Sequence, residues 1–137
     1  MEERTWDKVD ELVEENYTKN AKFKHGRAKQ SYSSVPASAL TAMAEVMDGG
    51  AKKYGAYNWR DTGVDATTYF DATMRHLIAW YHQGEDADCE SRCHPLAHVM
   101  ACCSIVLDTF NEGKLHDNRP TSAQPKQSSR GHKENSS

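Results

Sequence analysis

Apolar residues recur at helical spacing along most of this chain. A first amphipathic helix is predicted within residues 7–16, followed by a polar and basic loop or arm over residues 19–34. A second helix is predicted to begin at Pro36, because proline suits the first helical turn, and to break or fray at Gly49 and Gly50. Its apolar face would consist of Leu40, Met43, Ala44 and Met47.

Two further helices are predicted after a glycine-punctuated connection at residues 50–59. Asp65 can cap the third helix, which extends to about Gln83. This helix is apolar most of the way round, which predicts a central and well-buried position. Pro95 can open the fourth helix, and Gly113 can end it.

The predicted fold is all-α, a bundle of about four helices, because no segment shows the convincing alternation of a β-strand. So few helices bury little surface, and the third is apolar on two faces, so we expect a homo-oligomer, a dimer or tetramer. Residues 1–35 are predicted to form an N-terminal helix and arm, and residues 36–116 the helical domain that carries any site. Residues 117–137 are predicted to be a disordered tail, since they are polar throughout.

Composition argues against several classes of function. The formal net charge is −3 and the basic residues are scattered, so direct nucleic-acid binding is not expected. No apolar run approaches the roughly 20 residues that span a bilayer, so no membrane association is expected. The N-terminus lacks the pattern of a signal peptide, and the four cysteines favour reduced thiols in a cytoplasmic compartment.

The segment between the third and fourth helices is the most acidic part of the chain. A cluster of carboxylates repels itself unless it faces water or binds a cation. Hard oxygen ligands of this kind suit Mg²⁺ or Mn²⁺, and the alternative is a solvated acidic turn. The four carboxylates fall within six residues: Glu85, Asp86, Asp88 and Glu90.

Three histidines accompany this acidic segment. His94 and His98 are four residues apart at the start of the fourth helix, and His76 lies midway along the third. They could act as metal ligands, orienting groups or proton carriers. With Cys89 and Cys93, the same stretch could also form a structural zinc site, although its two ligand pairs abut without the loop of a zinc finger.

Two further regions carry groups that suit a nucleotide. Lys53 and Asn58 lie in the glycine-rich connection, where they could contact a phosphate or a base. The alternative for the lysine is a helix C-terminus, which the helix dipole favours. Trp59 could stack on a base or pack in the core. Arg75 lies in a mostly apolar helix and needs an anionic partner, either Asp71 or a substrate phosphate.

Four motifs follow one another in unbroken order between Pro36 and Phe110: Gly50-Ala51-x-Lys53-Tyr54-Gly55-x-x-Asn58-Trp59, Arg75-His76-Leu77-x-Ala79-Trp80, Gly84-Glu85-Asp86-x-Asp88-x-Glu90-Ser91 and Leu96-Ala97-His98. Together they resemble the phage-encoded dATP/dGTP diphosphohydrolases, a family related to the MazG-like all-α NTP pyrophosphohydrolases. The resemblance implies a helical-bundle oligomer that uses divalent metal to cut a purine deoxynucleoside triphosphate to its monophosphate. In phages that make 2-aminoadenine DNA, such an enzyme removes dATP and supplies dGMP.

With this resemblance, the residues can be given expected roles. Lys53, Arg75 and His76 would be catalytic, and the two cations would offset phosphate charge during cleavage. Asn58 and Trp59 would bind the substrate together with Lys53 and Arg75. The expected ligands of Mg²⁺ or Mn²⁺, two or more ions, are Glu85, Asp86, Asp88, Glu90 and His98.

Some positions depart from the family pattern or stay open. Cys89 and Arg92 stand where the family usually has Pro and Gly. Glu45 could be a remnant of the helical metal-binding motif of MazG proteins, and the role of His94 is left open. Two other classes of function remain as alternatives, a zinc-stabilised interaction protein without catalysis and a nucleotide-binding module.

Overall fold

The computed structural model describes residues 5–121, with side chains from residue 8 onward. The chain divides into two compact units, Met1–Pro36 and Ala37–Ser137. Helices dominate the described residues, which confirms the all-α prediction. None of these helices is long and apolar enough to cross a membrane. Most of the predicted disordered tail, residues 122–137, lies outside the described residues.

The first unit contains two helices, α1 (Thr5–Thr18) and α2 (Ala21–Arg27). The prediction of a loop over residues 19–34 is therefore wrong in its first half. Asn20 caps α2, because its side chain accepts a hydrogen bond from the backbone N–H of Lys22 at 2.8 Å. Tyr17 and Phe23 meet edge to face, with ring centroids 5.1 Å apart. These local contacts stabilise a seven-residue helix that has no long apolar stripe.

The second unit begins with a helix that runs through the two adjacent glycines. The predicted break at Gly49 and Gly50 is wrong, because the helix continues to Tyr54. Each glycine costs a helix roughly 1 kcal/mol relative to alanine, a cost that packing against a neighbouring helix can offset. Gly55, with φ +90°, ends the helix instead. The elements of this unit are α3 (Ala37–Tyr54), α4 (Asn58–Thr62), β1 (Val64–Asp65), α5 (Ala66–Tyr81), α6 (Pro95–Asn111) and β2 (Leu115–His116).

Helix α6 lies at the centre of this unit, and α3 and α5 both pack against it. Ala97 and Ala101 are 1% and 3% exposed, and Thr109 is fully buried. Small side chains at these positions allow the flanking helices to approach closely. The prediction that α5 is the central helix is wrong, since Phe70 is 63% and Ile78 42% exposed. Within residues 8–121, only one of the two apolar faces of α5 is covered.

The predicted ends of α5 and α6 are largely confirmed. Asp65 caps α5 by accepting a hydrogen bond from the backbone N–H of Thr68 at 2.8 Å. Pro95 is the first residue of α6, and the helix ends at Asn111, two residues before Gly113 with its positive φ. These ends depend on contacts within one helical turn, which is why the local sequence predicts them.

A short parallel strand pair, which was not predicted, joins the segment before α5 to the segment after α6. Gly63 precedes β1 with φ +71°, and a Cβ there would lie 2.7 Å from the backbone oxygen of Lys114, so only glycine fits. The side chain of Asn118 accepts a hydrogen bond from the N–H of Thr67 at 2.9 Å. Ordered contacts therefore extend beyond the predicted start of the tail at residue 117. The paired residues are Val64 with Leu115 and Asp65 with His116.

Candidate active site

The loop between α5 and α6, residues 82–94, is held together by hydrogen bonds to Asp88. The carboxylate Oδ2 of Asp88 accepts hydrogen bonds from the backbone N–H groups of Glu90 at 3.0 Å and Ser91 at 2.9 Å. The backbone N–H of Asp88 in turn donates to the carbonyl of Cys93 at 2.7 Å. The bonds from Ser91 and Glu90 lower the pKa of Asp88, so this carboxyl group is ionised at neutral pH.

Ser91 connects this turn to helix α6. Its Oγ lies 2.6 Å from Nε2 of His98 and 3.2 Å from Oδ2 of Asp88. The same oxygen accepts a hydrogen bond from the backbone N–H of Cys93 at 3.2 Å. A single hydroxyl group therefore stands between a carboxylate of the loop and an imidazole of the helix. Sequence reasoning named Ser91 within a motif but gave it no role.

His98 also stacks on His76 of α5. The two ring centroids are 4.4 Å apart and the planes differ by 7°. Partial burial lowers the pKa of His76, and its neighbours His98 and Arg75 add to this effect, while Asp88 opposes it. The neutral imidazole of His76 is thus favoured at neutral pH. Asp88, Ser91, His98 and His76 form one continuous row of polar groups, which we call the loop cluster.

His94 has a structural use at the start of α6. Its Nδ1 accepts a hydrogen bond from the backbone N–H of Leu96 at 3.0 Å, so the ring caps the helix. Its Nε2 lies 3.5 Å from a carboxylate oxygen of Asp86, which is largely exposed. These contacts connect the acidic part of the loop to the helix N-terminus.

The predicted metal ligands do not come together into one site. Within residues 8–121, no group of three or more His, Cys, Asp or Glu side chains is placed to hold a metal ion. Glu85, Asp86 and Glu90 are exposed on the loop, and Nε2 of His98 already contacts Ser91. The residues as placed therefore do not fit a preformed centre for Mg²⁺ or Mn²⁺. The same finding applies to the zinc alternative with Cys89 and Cys93, both of which are free thiols.

The two predicted phosphate-binding cations lie on different helices and are accessible. Lys53 is exposed in the last turn of α3. Arg75 is exposed on α5, one residue before His76, so it does not need the buried anionic partner that its apolar surroundings suggested. Its charge contributes to the lowered pKa of His76, after the larger effects of burial and of His98. Of the two cations, Arg75 is therefore the one that contributes to the electrostatics of the loop cluster.

Trp59 and Arg60 are engaged at the opposite end of α6. Nε1 of Trp59 donates to Oδ2 of Asp108 at 2.7 Å, and the Arg60 guanidinium makes two bonds to the same carboxylate, at 2.9 and 2.7 Å. These donors lower the pKa of Asp108 to about 2. Trp59 is 9% exposed, so its indole packs in the core. We call these three residues the Asp108 clamp.

The segment that was predicted to bind a base, around Asn58 and Trp59, lies beside the Asp108 clamp. Asn58 begins α4 and is half-buried beside Trp59. Tyr57 is exposed and stacks against the Arg60 guanidinium, 4.6 Å from the ring centroid. Sequence reasoning missed Asp108. The available signal was a carboxylate within the otherwise apolar stretch of α6, which must find a donor when it is brought near the core.

Comparison with known proteins agrees with the motifs. No curated protein and no solved structure matches this chain significantly. A family profile described as dATP/dGTP diphosphohydrolase, N-terminal, matches residues 19–119. The match includes both the loop cluster and the Asp108 clamp, and it spans well over half of the chain. This protein therefore belongs to the dATP/dGTP diphosphohydrolase family.

Proposed function

We propose that this protein hydrolyses a purine deoxynucleoside triphosphate, dGTP or dATP, to the monophosphate. The observation that carries the proposal is the family match over residues 19–119, whose name describes this activity. We place the reaction at the loop cluster, because it combines an ionised carboxylate, a stacked pair of imidazoles and an accessible cation within the matched region. Water and substrate can reach this part of the surface, since most loop side chains are exposed and those of Asp88, His76 and His98 are only half-buried.

The proposed roles follow from the charges of these side chains. A triphosphate carries several negative charges, so Arg75 and Lys53 would attract it and offset the charge that shifts during cleavage. His76 is favoured as a neutral imidazole and His98 lies against it, so either ring can accept a proton from an attacking water molecule. Asn58 would contact the sugar or the base from the start of α4. Trp59 has a second use in the Asp108 clamp, and any contact with the substrate would come from its exposed edge.

A requirement for Mg²⁺ or Mn²⁺ is part of the proposal, and its support is the acidic sequence of the loop. Because the described side chains do not form a three-ligand site, the proposed steps use protein groups only. Mn²⁺ titration of activity and of binding by calorimetry tests the requirement. Asp88→Ala and Glu90→Ala should weaken Mn²⁺ binding, whereas Asp48→Ala, an exposed carboxylate on α3, should not. Equal Mn²⁺ binding by all three variants would remove the loop from consideration.

The activity itself is tested with purified protein and each of the four deoxynucleoside triphosphates. Chromatography should show loss of dGTP or dATP and a matching gain of dGMP or dAMP, with phosphate and pyrophosphate measured separately. Thermal stabilisation by dGTP without turnover would instead indicate a nucleotide-binding module. Absence of both turnover and stabilisation would contradict the proposal.

We also propose that the protein is a homo-oligomer. The support is an exposed apolar surface on α5 and α6 that includes Phe70, Ile78, Leu107 and Phe110. A groove of about 1060 Å³ runs between the two helices beside this surface. Exposed apolar patches of this kind commonly mark protein interfaces. Light scattering after size exclusion should give a dimer or tetramer, and Phe70→Glu should shift it toward the monomer. A wild-type monomer at working concentration would contradict this part.

In the cell, such an activity would act in the cytoplasm on the nucleotide pool. The family resemblance suggests a role in phage 2-aminoadenine DNA synthesis, in which dATP is removed and dGMP is supplied. Expression in a bacterial host should then lower the dATP pool and raise dGMP, measured by mass spectrometry of extracted nucleotides. The matched control is an inactive His98→Ala variant, which should leave both pools unchanged.

A further inference from the structure

The hydroxyl group of Ser91 has three hydrogen-bond partners at once. They are Oδ2 of Asp88 at 3.2 Å, the backbone N–H of Cys93 at 3.2 Å and Nε2 of His98 at 2.6 Å. A serine hydroxyl has one O–H to donate and two lone pairs that accept. Three partners can therefore all be satisfied only by one donated and two accepted hydrogen bonds.

The chemistry of the partners determines which bond is donated. An ionised carboxylate only accepts, and a backbone N–H only donates. Ser91 must therefore donate its proton to Asp88 and accept from Cys93. One lone pair remains for His98, so Nε2 of that ring must carry a hydrogen and donate it. If Ser91 donated to His98 instead, its contact with Asp88 would contain no proton.

We propose that Ser91 is a positioning residue that holds His98 as the Nε2–H tautomer and leaves Nδ1 as the nitrogen with a free lone pair. The parallel contact with His76 keeps the ring in its plane, and the bond to Ser91 selects which edge faces the loop. A 180° flip would replace Nε2 by a carbon and remove that bond.

The assignment has a consequence for the attacking water, and this part rests on the proposed function. The bare Nδ1 can accept a hydrogen bond from a water molecule and so orient that water toward a phosphate. The Nε2–H of the same ring donates to Ser91, and the carboxylate of Asp88 lies on the other side of that hydroxyl. Ser91 acts through His98 and does not contact the reacting atoms.

The tautomer can be measured without any substrate. Long-range ¹H–¹⁵N correlation spectra of the imidazole groups distinguish a protonated from a bare ring nitrogen, and His98→Gln identifies the signals of His98. With the ring in its neutral form, we expect a protonated Nε2 and a bare Nδ1. Ser91→Ala should give a mixture of tautomers, and Ser91→Thr should keep the wild-type pattern. A wild-type ring protonated at Nδ1 would overturn the inference.

Kinetics provide the second measurement. Removing a group that orients a site residue typically costs 10- to 100-fold, so Ser91→Ala should lower kcat by roughly that factor with little change in KM. Ser91→Thr should restore most of the activity. Ser104→Ala, the same substitution elsewhere on α6, is the control and should match the wild type. Wild-type kcat in Ser91→Ala would contradict the inference. If no nucleotide is cleaved by any variant, the proposed function fails, and the spectra still decide the tautomer.

Discussion

The two ends of α6 each carry a polar cluster, and the clusters differ in how completely they are closed. At the C-terminal end, both oxygens of the Asp108 carboxylate are bound by Trp59 and Arg60. At the N-terminal end, all three hydrogen bonds to the Asp88 carboxylate fall on Oδ2, and the side chains lie in an exposed loop. Partners that come from another helix and engage both oxygens of a carboxylate indicate a structural role. A cluster held by its own turn, with atoms still accessible to solvent, is suited to chemistry.

The largest expected effect is on activity at the N-terminal end. His98→Ala removes the ring that joins the loop to both helices, and general acid–base groups contribute about 10²- to 10⁴-fold. We therefore expect kcat to fall by that factor while the circular dichroism spectrum is retained. His82→Ala, an exposed histidine at the end of α5, is the control and should keep wild-type kcat. Equal activity of both variants would place the reaction elsewhere.

The second effect is on stability at the C-terminal end. Trp59→Ala removes a core indole and should lower the free energy of unfolding by about 3–5 kcal/mol. Trp59→Phe keeps an aromatic six-membered ring but removes the N–H donor with the rest of the pyrrole ring, which should cost about 1–3 kcal/mol. Tyr54→Ala, at an exposed aromatic on α3, should stay within about 0.5 kcal/mol. Urea unfolding measures all three. If Trp59→Phe instead raised KM without loss of stability, the indole would belong to the substrate site.

The third effect is the acid dependence of the Asp108 clamp. The pKa of Asp108 is lowered from 3.8 to about 2 in the folded chain, mainly by the bond from Arg60. Its contribution to stability is complete above pH 3.8 and is lost as the pH falls toward 2. Other aspartates with lowered pKa values, Asp65, Asp88 and Asp117, titrate in the same direction. The quantity to measure is therefore the difference in unfolding free energy between the wild type and Asp108→Asn.

Urea unfolding of the wild type and Asp108→Asn between pH 6 and pH 2 provides this comparison. Asp108→Asn should be less stable at pH 6, and the gap should close as the pH approaches 2. Asp48→Asn, an exposed residue paired with Lys52, is the control and should run parallel to the wild type. A constant gap for Asp108→Asn across the range would show that its charge does not stabilise the fold.

The smallest expected effect is on stability at His94, and it tests whether this residue has a structural or a catalytic role. Because its ring caps α6, His94→Ala should cost roughly 1 kcal/mol, and His94→Ser should recover this stability with a better cap. Activity should follow stability in both variants. Loss of activity in the stable His94→Ser variant would give His94 a role in the reaction. Thermal unfolding and initial rates at one temperature are sufficient.

Sequence patterns predicted the parts of the fold that depend on neighbouring residues. The cap at Asp65 and the start of α6 at Pro95 are contacts within one turn, and both were predicted correctly. The pattern failed where packing overrides local preference. Gly49 and Gly50 remain helical because α3 packs on α6, and α5 leaves Phe70 and Ile78 exposed although its sequence is apolar on two faces. A helical repeat identifies an apolar face but not the helix that covers it.

The same division applies to the site. Local sequence predicted that Asp88 and His98 belong to one segment. Asp88 lies in the loop after α5, and His98 lies in the first turn of α6. The contact of His98 with His76 was not predicted, because it requires α5 and α6 to lie side by side. The hydrogen bond between His98 and Ser91 was not predicted either, because it depends on how the loop folds back against α6. Acidic residues that are adjacent in the chain point outward from an exposed loop, so proximity in sequence did not make them converge.

By itself, the amino-acid sequence determined the helical class, the ends of α5 and α6, and the motifs that identify the family. Tertiary structure decided that α6 is the central helix and that Ser91 lies between Asp88 and His98. It also decided that the indole of Trp59 donates to Asp108, which is 49 residues later in the chain. The physical reason is the distance along the chain over which each interaction acts. Helix caps and turns are set by interactions within a few residues, whereas partners on different helices are selected only when burial brings the helices together.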